Sequence, residues 1–253
     1  MVETKPYGFN WQFPKPTVVA TLLDGEGMTD FLSEYNGRVD RDFNGNKNLK
    51  VYSLIDGVIT GSNPFAVVLT NQIFGSQGIR TATPSDIARI IEGEIINLRR
   101  NYVDHSLVLR TQKDSYNPNN DSLIAYLGNQ LASRGLEFSA DVPLIIPLNG
   151  LELELADNSY GLTFKLREDA KIYEAPVLSN KNNGKRFSRA DENGIPILDG
   201  AGDKVVYTRD DGLSRACSDG GLVFVADRLH LAFSVSDGRV VLVQDAPQKL
   251  FGK

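Results

Sequence analysis

The amino-acid sequence predicts an α+β fold, with an N-terminal mixed sheet carrying two main helices, followed by a mostly antiparallel β sandwich or meander. Two observations support this. Helix signals stop near residue 135, having alternated with strand-like apolar runs up to that point. From residue 136 onward the chain is made of short alternating runs separated by Asp, Asn and Gly turns. The expected organisation is an extended arm over residues 1–16, a sheet-and-helix region over 17–135 and a β-rich domain over 136–253.

The strongest helix signal spans residues 83–101. Thr83 can cap it, Pro84 suits its first position, and Asp86 places negative charge at the positive end of the dipole. Ile87, Ile90, Ile91, Ile95 and Leu98 recur at spacings of three and four, which puts them on one face. Arg99 and Arg100 close it with positive charge. The expected cover is a pair of strands at 65–74 and 105–112. A second helix is expected over 123–134, where Leu123, Leu127 and Leu131 repeat and Gly135 follows as a C-cap. A short helix over 28–35 is expected to end at Asn36 and Gly37, between strands at 17–23 and 49–55.

Eight strands are expected in the second half: 142–147, 151–155, 160–167, 171–177, 204–208, 222–231, 233–235 and 239–243. In the second of these, Leu151, Leu153 and Leu155 alternate with Glu152 and Glu154, the pattern of a strand with one wet face.

Composition narrows the function. With 41% hydrophobic and 23% charged residues, the chain is globular in type and long enough for a sizeable core. A formal net charge of −5 argues against a general nucleic-acid or membrane-surface binder. A single cysteine, Cys217, excludes an intramolecular disulfide, and two histidines exclude a multi-histidine metal centre. The opening residues lack a basic segment followed by an apolar run, so synthesis in the cytoplasm without a secretion signal is expected.

Several motifs carry candidate chemistry. Asp40, Asp42, Asn44, Asn46 and Asn48 place oxygens at alternate positions, with Gly45 at the sharp turn. In these residues the loop resembles the D-x-D-x-D-G loops of calcium-binding families such as EF-hands, and the shorter loops of integrin-type propeller repeats. The resemblance implies at most weak calcium binding, because Val51 stands where an EF-hand has its bidentate Glu. No other cofactor is expected.

Ala216-Cys217-Ser218-Asp219-Gly220 differs from a nucleophile elbow by one residue, but a strand-like run follows it and His230 comes too soon. Glu168, Asp169 and Lys171 resemble a nuclease metal element and are read as surface charge on a hairpin. The Gly25-Glu26-Gly27 turn lacks the third glycine of a dinucleotide fold, Asp30 standing in its place. Lys181, Lys185, Arg186 and Arg189 form the one basic cluster, expected on a solvated loop that can touch an acidic partner.

Tyr7, Phe9, Trp11 and Phe13 alternate along the arm, and Pro6, Pro14 and Pro16 exclude a helix there. Four rings on one side of an extended segment suit docking by strand addition. The expected function is therefore a non-enzymatic structural or assembly subunit, virion-like in style. It joins other protein subunits in a homo- or hetero-oligomer, with no membrane or nucleic-acid partner. The alternatives are a β-rich module binding glycan or protein, stabilised by calcium, and a metal-dependent hydrolase.

Overall fold

The computed structural model describes residues 20–221 and 223–244, so the arm lies outside the described residues. The chain is α+β. Strand β1 (Ala20–Leu22) leads to helix α1 (Met28–Asp42), the hairpin β2 (Ser53–Ile55) and β3 (Val58–Thr60), helix α2 (Pro64–Phe74), strand β4 (Ile79–Thr81) and helix α3 (Pro84–Glu92). Next come strand β5 (Tyr102–Leu109), helix α4 (Asp121–Ala132), strand β6 (Leu144–Pro147), the hairpin β7 (Leu151–Leu155) and β8 (Leu162–Leu166), and the short strand β9 (Tyr173–Glu174). Seven further strands follow: β10 (Arg186–Ala190), β11 (Pro196–Leu198), β12 (Lys204–Tyr207), β13 (Leu213–Asp219), β14 (Val223–Arg228), β15 (Gly238–Arg239) and β16 (Val241–Gln244).

The large sheet has nine strands in the order β11-β10-β12-β14-β13-β5-β6-β9, with β15 beside β5. Its pairs are antiparallel except β12–β14 and β15–β5. A second sheet has the order β1-β16-β4, and two hairpins stand apart. Because β5 pairs with β6 and β13, and β16 pairs with β1 and β4, neither sheet divides at residue 135. The main core likewise draws on both sides, from Phe31 and Phe65 to Leu144 and Phe164.

The alternation expected of a two-faced sheet is visible in β5 and β6. Leu107, Leu109, Leu144 and Ile146 face the main core, while Val108 and Ile145 belong to a second apolar cluster with Phe187 and Phe224. With both faces covered, all eight residues of β5 are buried.

Helix α2 replaces the strand expected at 65–74. Asn63 caps it by accepting the Ala66 N–H at 2.8 Å, and Pro64 opens it. It is buried on every side, which removes the amphipathic pattern that marks a surface helix. Phe65 stacks on Phe164 at 4.7 Å between ring centroids, and Phe74 stacks on Phe31 at 5.4 Å.

Helix α1 runs past Gly37, because Phe31, Tyr35 and Val39 extend one buried stripe. Helix α3, by contrast, stops at Glu92, well short of residue 101. The Ile95 N–H bonds back to Ile90 O and the Glu94 N–H to Ile91 O, with Glu94 at φ 49°, so the chain leaves in a Schellman turn. Ile95 is consequently exposed. The expected strand at 233–235 is a loop, whereas β10 and β13 fall where no strand was expected.

Candidate binding site

Helix α3 is a fixed wall. Thr83 and Asp86 form a reciprocal capping box, and Arg80 and Arg89 both pair with the Asp86 carboxylate. Burial alone would raise the Asp86 pKa, but hydrogen bonds from Arg80 and Thr83 outweigh it and hold the carboxyl below its usual range. The β10–β11 turn presses on the start of this helix. Ser85 donates to Glu192 O at 2.8 Å, and a Cβ on Gly194 would sit 2.1 Å from Pro84 C.

Between this wall and the large sheet lies a narrow apolar groove with an accessible volume of about 30 Å³. Ile87, Ala88 and Ile91 line it from the helix, and Ser218, Val223 and Phe224 from the sheet. Phe187, Glu92 and Lys204 line it as well. The Lys204 ammonium sits 5.9 Å from the centroid of the Phe187 ring. Ser218 is 8% exposed, and its hydroxyl makes no hydrogen bond among the described residues.

The His105 ring lies 5.2 Å from the Phe224 ring. Its Nδ1 is 3.1 Å from Ser106 Oγ and its Nε2 has no partner. Desolvation lowers its pKa to about 3, so the imidazole is neutral. Elsewhere on β5, Asp104 accepts hydrogen bonds from Ser62 at 2.7 Å and Arg215 at 3.3 Å. Burial raises the Asp104 pKa against the pull of Arg215. Cys217 is buried on β13, and burial, then Asp104, push its thiol far above the ordinary range. A thiol held in that form is a poor nucleophile. His230 is exposed on the loop after β14, so the elbow residues do not form a catalytic unit.

The five residues expected to hold calcium are placed as follows. Asp40 and Asp42 end α1 and pair with Lys50 and Arg41. Asn44 takes the left-handed conformation at φ 54°. Asn46 and Asn48 donate their side-chain amides to Tyr160 O at 2.8 and 2.9 Å, clasping the turn between β7 and β8. Among the described residues no three His, Cys, Asp or Glu side chains gather in a way that could hold a metal.

Asp169 is paired with Arg167, and Glu154 with Lys165 and the Tyr126 hydroxyl. The basic cluster is split. Lys181 pairs with Asp141 and Lys185 bonds Asn182, while Arg186 and Arg189 lie exposed on β10, a strand rather than a loop. Tyr7, Phe9, Trp11 and Phe13 lie outside the described residues. The groove itself escaped the sequence reading; its one sequence signal was the apolar stripe at Ile87 and Ile91, which supplies a wall.

The fold and groove define an α+β protein with buried polar networks and a narrow apolar groove on its surface. No family model, curated protein or solved structure matches the chain. No helix among the described residues is long and apolar enough to cross a membrane.

Proposed function

We propose that this chain is a structural or assembly subunit that docks into a larger, virion-like complex through its aromatic N-terminal arm and an open sheet edge. One observation carries the reading. Strand β1, into which the arm runs, is the outermost strand in the order β1-β16-β4, so one of its edges has no strand partner among the described residues. An unpaired edge accepts an added strand from another chain. The ends of the large sheet suit this less well. β9 is two residues long, and β11 begins with Pro196, a residue without an N–H to donate.

The interior supports the same reading. Asp104, His105, Arg110 and Cys217 are all 3% exposed or less and displaced in pKa by burial, and Asp104 and Arg110 tie distant segments together through hydrogen bonds. Arg110 donates to Ser214 Oγ at 2.9 Å and to Thr208 Oγ1 and Ala226 O at 2.8 Å.

Deletion of residues 1–16 tests the proposal. Light scattering should give the intact chain a mass above the monomer, and the truncated chain the monomer mass with an unchanged circular dichroism spectrum. An intact chain that stays monomeric at every concentration and in the presence of its native neighbours overturns it.

A further inference from the structure

We propose that the outer face of the large sheet at β10, β12 and β14 is a contact between two copies of this chain, built around a two-fold axis that sets Arg186 of one copy against Asp219 of the other. The contact adds to docking by the arm and does not depend on it.

The face follows from strand register. Arg186 stands opposite Val205, Val205 opposite Val223 and Val223 opposite Asp219, so the four side chains form one row across β10, β12, β14 and β13. Their sequence neighbours Phe187, Val206 and Phe224 turn the other way, into the second apolar cluster. Val223 packs on the row's side against Tyr102, Cys217 and Val225, although as the first residue of β14 it also borders the groove. Val205 and Val223 are half-buried, and Tyr207, two residues along β12 on the same side, is 43% exposed. Toward β5 this side is closed, with Tyr102 and Cys217 buried and the Val235 N–H bonded to the Tyr102 hydroxyl.

The charges select the partner. Arg186 is exposed and Asp219 half-buried, and neither has an ion-pair partner among the described residues. With neighbouring strands about 4.8 Å apart, three spacings hold the two about 14 Å from each other, too far to pair within one chain. Two such faces stacked about an axis that runs along the strands place β12 over β14 and β10 over β13. Arg186 then meets Asp219 twice, and Val205 meets Val223 twice. An axis across the strands would instead set Arg186 on Arg186 and Asp219 on Asp219. The row is thus complementary to a second copy of itself in one orientation only. It is also small. A patch of this width falls short of the roughly 800 Å² per partner of a stable interface, so the contact forms at the high local concentration that an assembly supplies. At micromolar concentration the arm-deleted chain stays monomeric.

Charge reversal tests the pairing. Arg186→Asp and Asp219→Arg each set like charges against one another at both ends of the row. Sedimentation of the full chain at low salt, at up to about 1 mM protein, should show association roughly tenfold weaker in either variant. Mixed in equal amounts, the two variants should regain the association of the wild type, because one presents two Asp where the other presents two Arg. A folding defect in either variant cannot be repaired by mixing.

Single variants that associate like the wild type leave the face to a different partner and overturn the proposal. Variants that are weakened and stay weak when mixed show that Arg186 and Asp219 do not meet, which overturns it as well. So does a wild-type chain that stays monomeric up to about 1 mM. If deleting residues 1–16 leaves the mass unchanged while charge reversal lowers it, the docking arm fails and the face stands.

Discussion

Gly212 lies flat against Asp114, so that a Cβ at Gly212 would sit 2.4 Å from the Asp114 Cγ. Asp114 is 1% exposed and gathers the N–H groups of Tyr116, Asn117 and Leu213 together with the Arg209 guanidinium. Gly212 has φ 66°, so Gly212→Ala adds backbone strain to a clash with this hub. The expected cost is more than ~2 kcal/mol in urea unfolding. Gly200→Ala, with φ 71° but nothing within 4 Å, is expected to cost about 1 kcal/mol. Equal losses at the two sites would show that the approach to Asp114 is not what constrains Gly212.

Asp114→Ala leaves the buried Arg209 with Asp211 as its one remaining ion-pair partner among the described residues, and Arg209 Nε and Nη1 already lack a hydrogen bond. The expected loss is about 3–5 kcal/mol. Adding Arg209→Met should recover part of it, because the buried and only half-compensated charge is then gone. A double variant less stable than Asp114→Ala would contradict this.

His105 sets a pH dependence. Its folded pKa of about 3 lies below the ordinary 6.5, so the unfolded chain binds the extra proton between those values. Its contribution is present above pH 6.5 and is lost as the pH falls toward 3, at up to about 1.4 kcal/mol per pH unit. His105→Leu should flatten the fall in stability between pH 7 and pH 5. Parallel unfolding curves for the two proteins across that interval would exclude His105 as the cause.

Glu94 pays the steric cost of a left-handed residue at φ 49° in the turn that ends α3. Glu94→Gly is expected to raise stability by roughly 0.5–1 kcal/mol, read as an increase in melting midpoint. A lower midpoint would mean that the Glu94 side chain makes a contribution larger than the strain it imposes.

The clasp on Tyr160 predicts the response to calcium. Because Asn46 and Asn48 turn their amide donors toward Tyr160 O, millimolar calcium should leave the melting midpoint where a chelator leaves it. Asn48→Ala should lower stability by about 1 kcal/mol. A clear rise in midpoint with calcium would make the loop a metal site.

The legible parts of the sequence were those where a local pattern met a local cause. Leu123, Leu127 and Leu131 gave α4, and the Leu and Glu alternation gave β7, since each needs only one wet face and one dry face. Helix α2 was misread because total burial erases periodicity, leaving an apolar run that reads equally as a strand. Strand β13 was hidden by its polar residues. Ser214 and Arg215 are buried there because Arg110, Asp104 and the Phe233 carbonyl satisfy them, and those partners lie far away in sequence. For the same reason the groove was out of reach, as its walls come from segments about a hundred residues apart that only the folded sheet brings together.

The insertion of β16 between β1 and β4 has a consequence for biogenesis. A ribosome needs roughly ten to thirty seconds to travel from residue 81 to residue 241, and throughout that interval both flanking strands wait without their shared partner. The small sheet therefore forms only once β16 has been made, and a chain cut short before β16 presents two bare strands as a mark for chaperones or proteases.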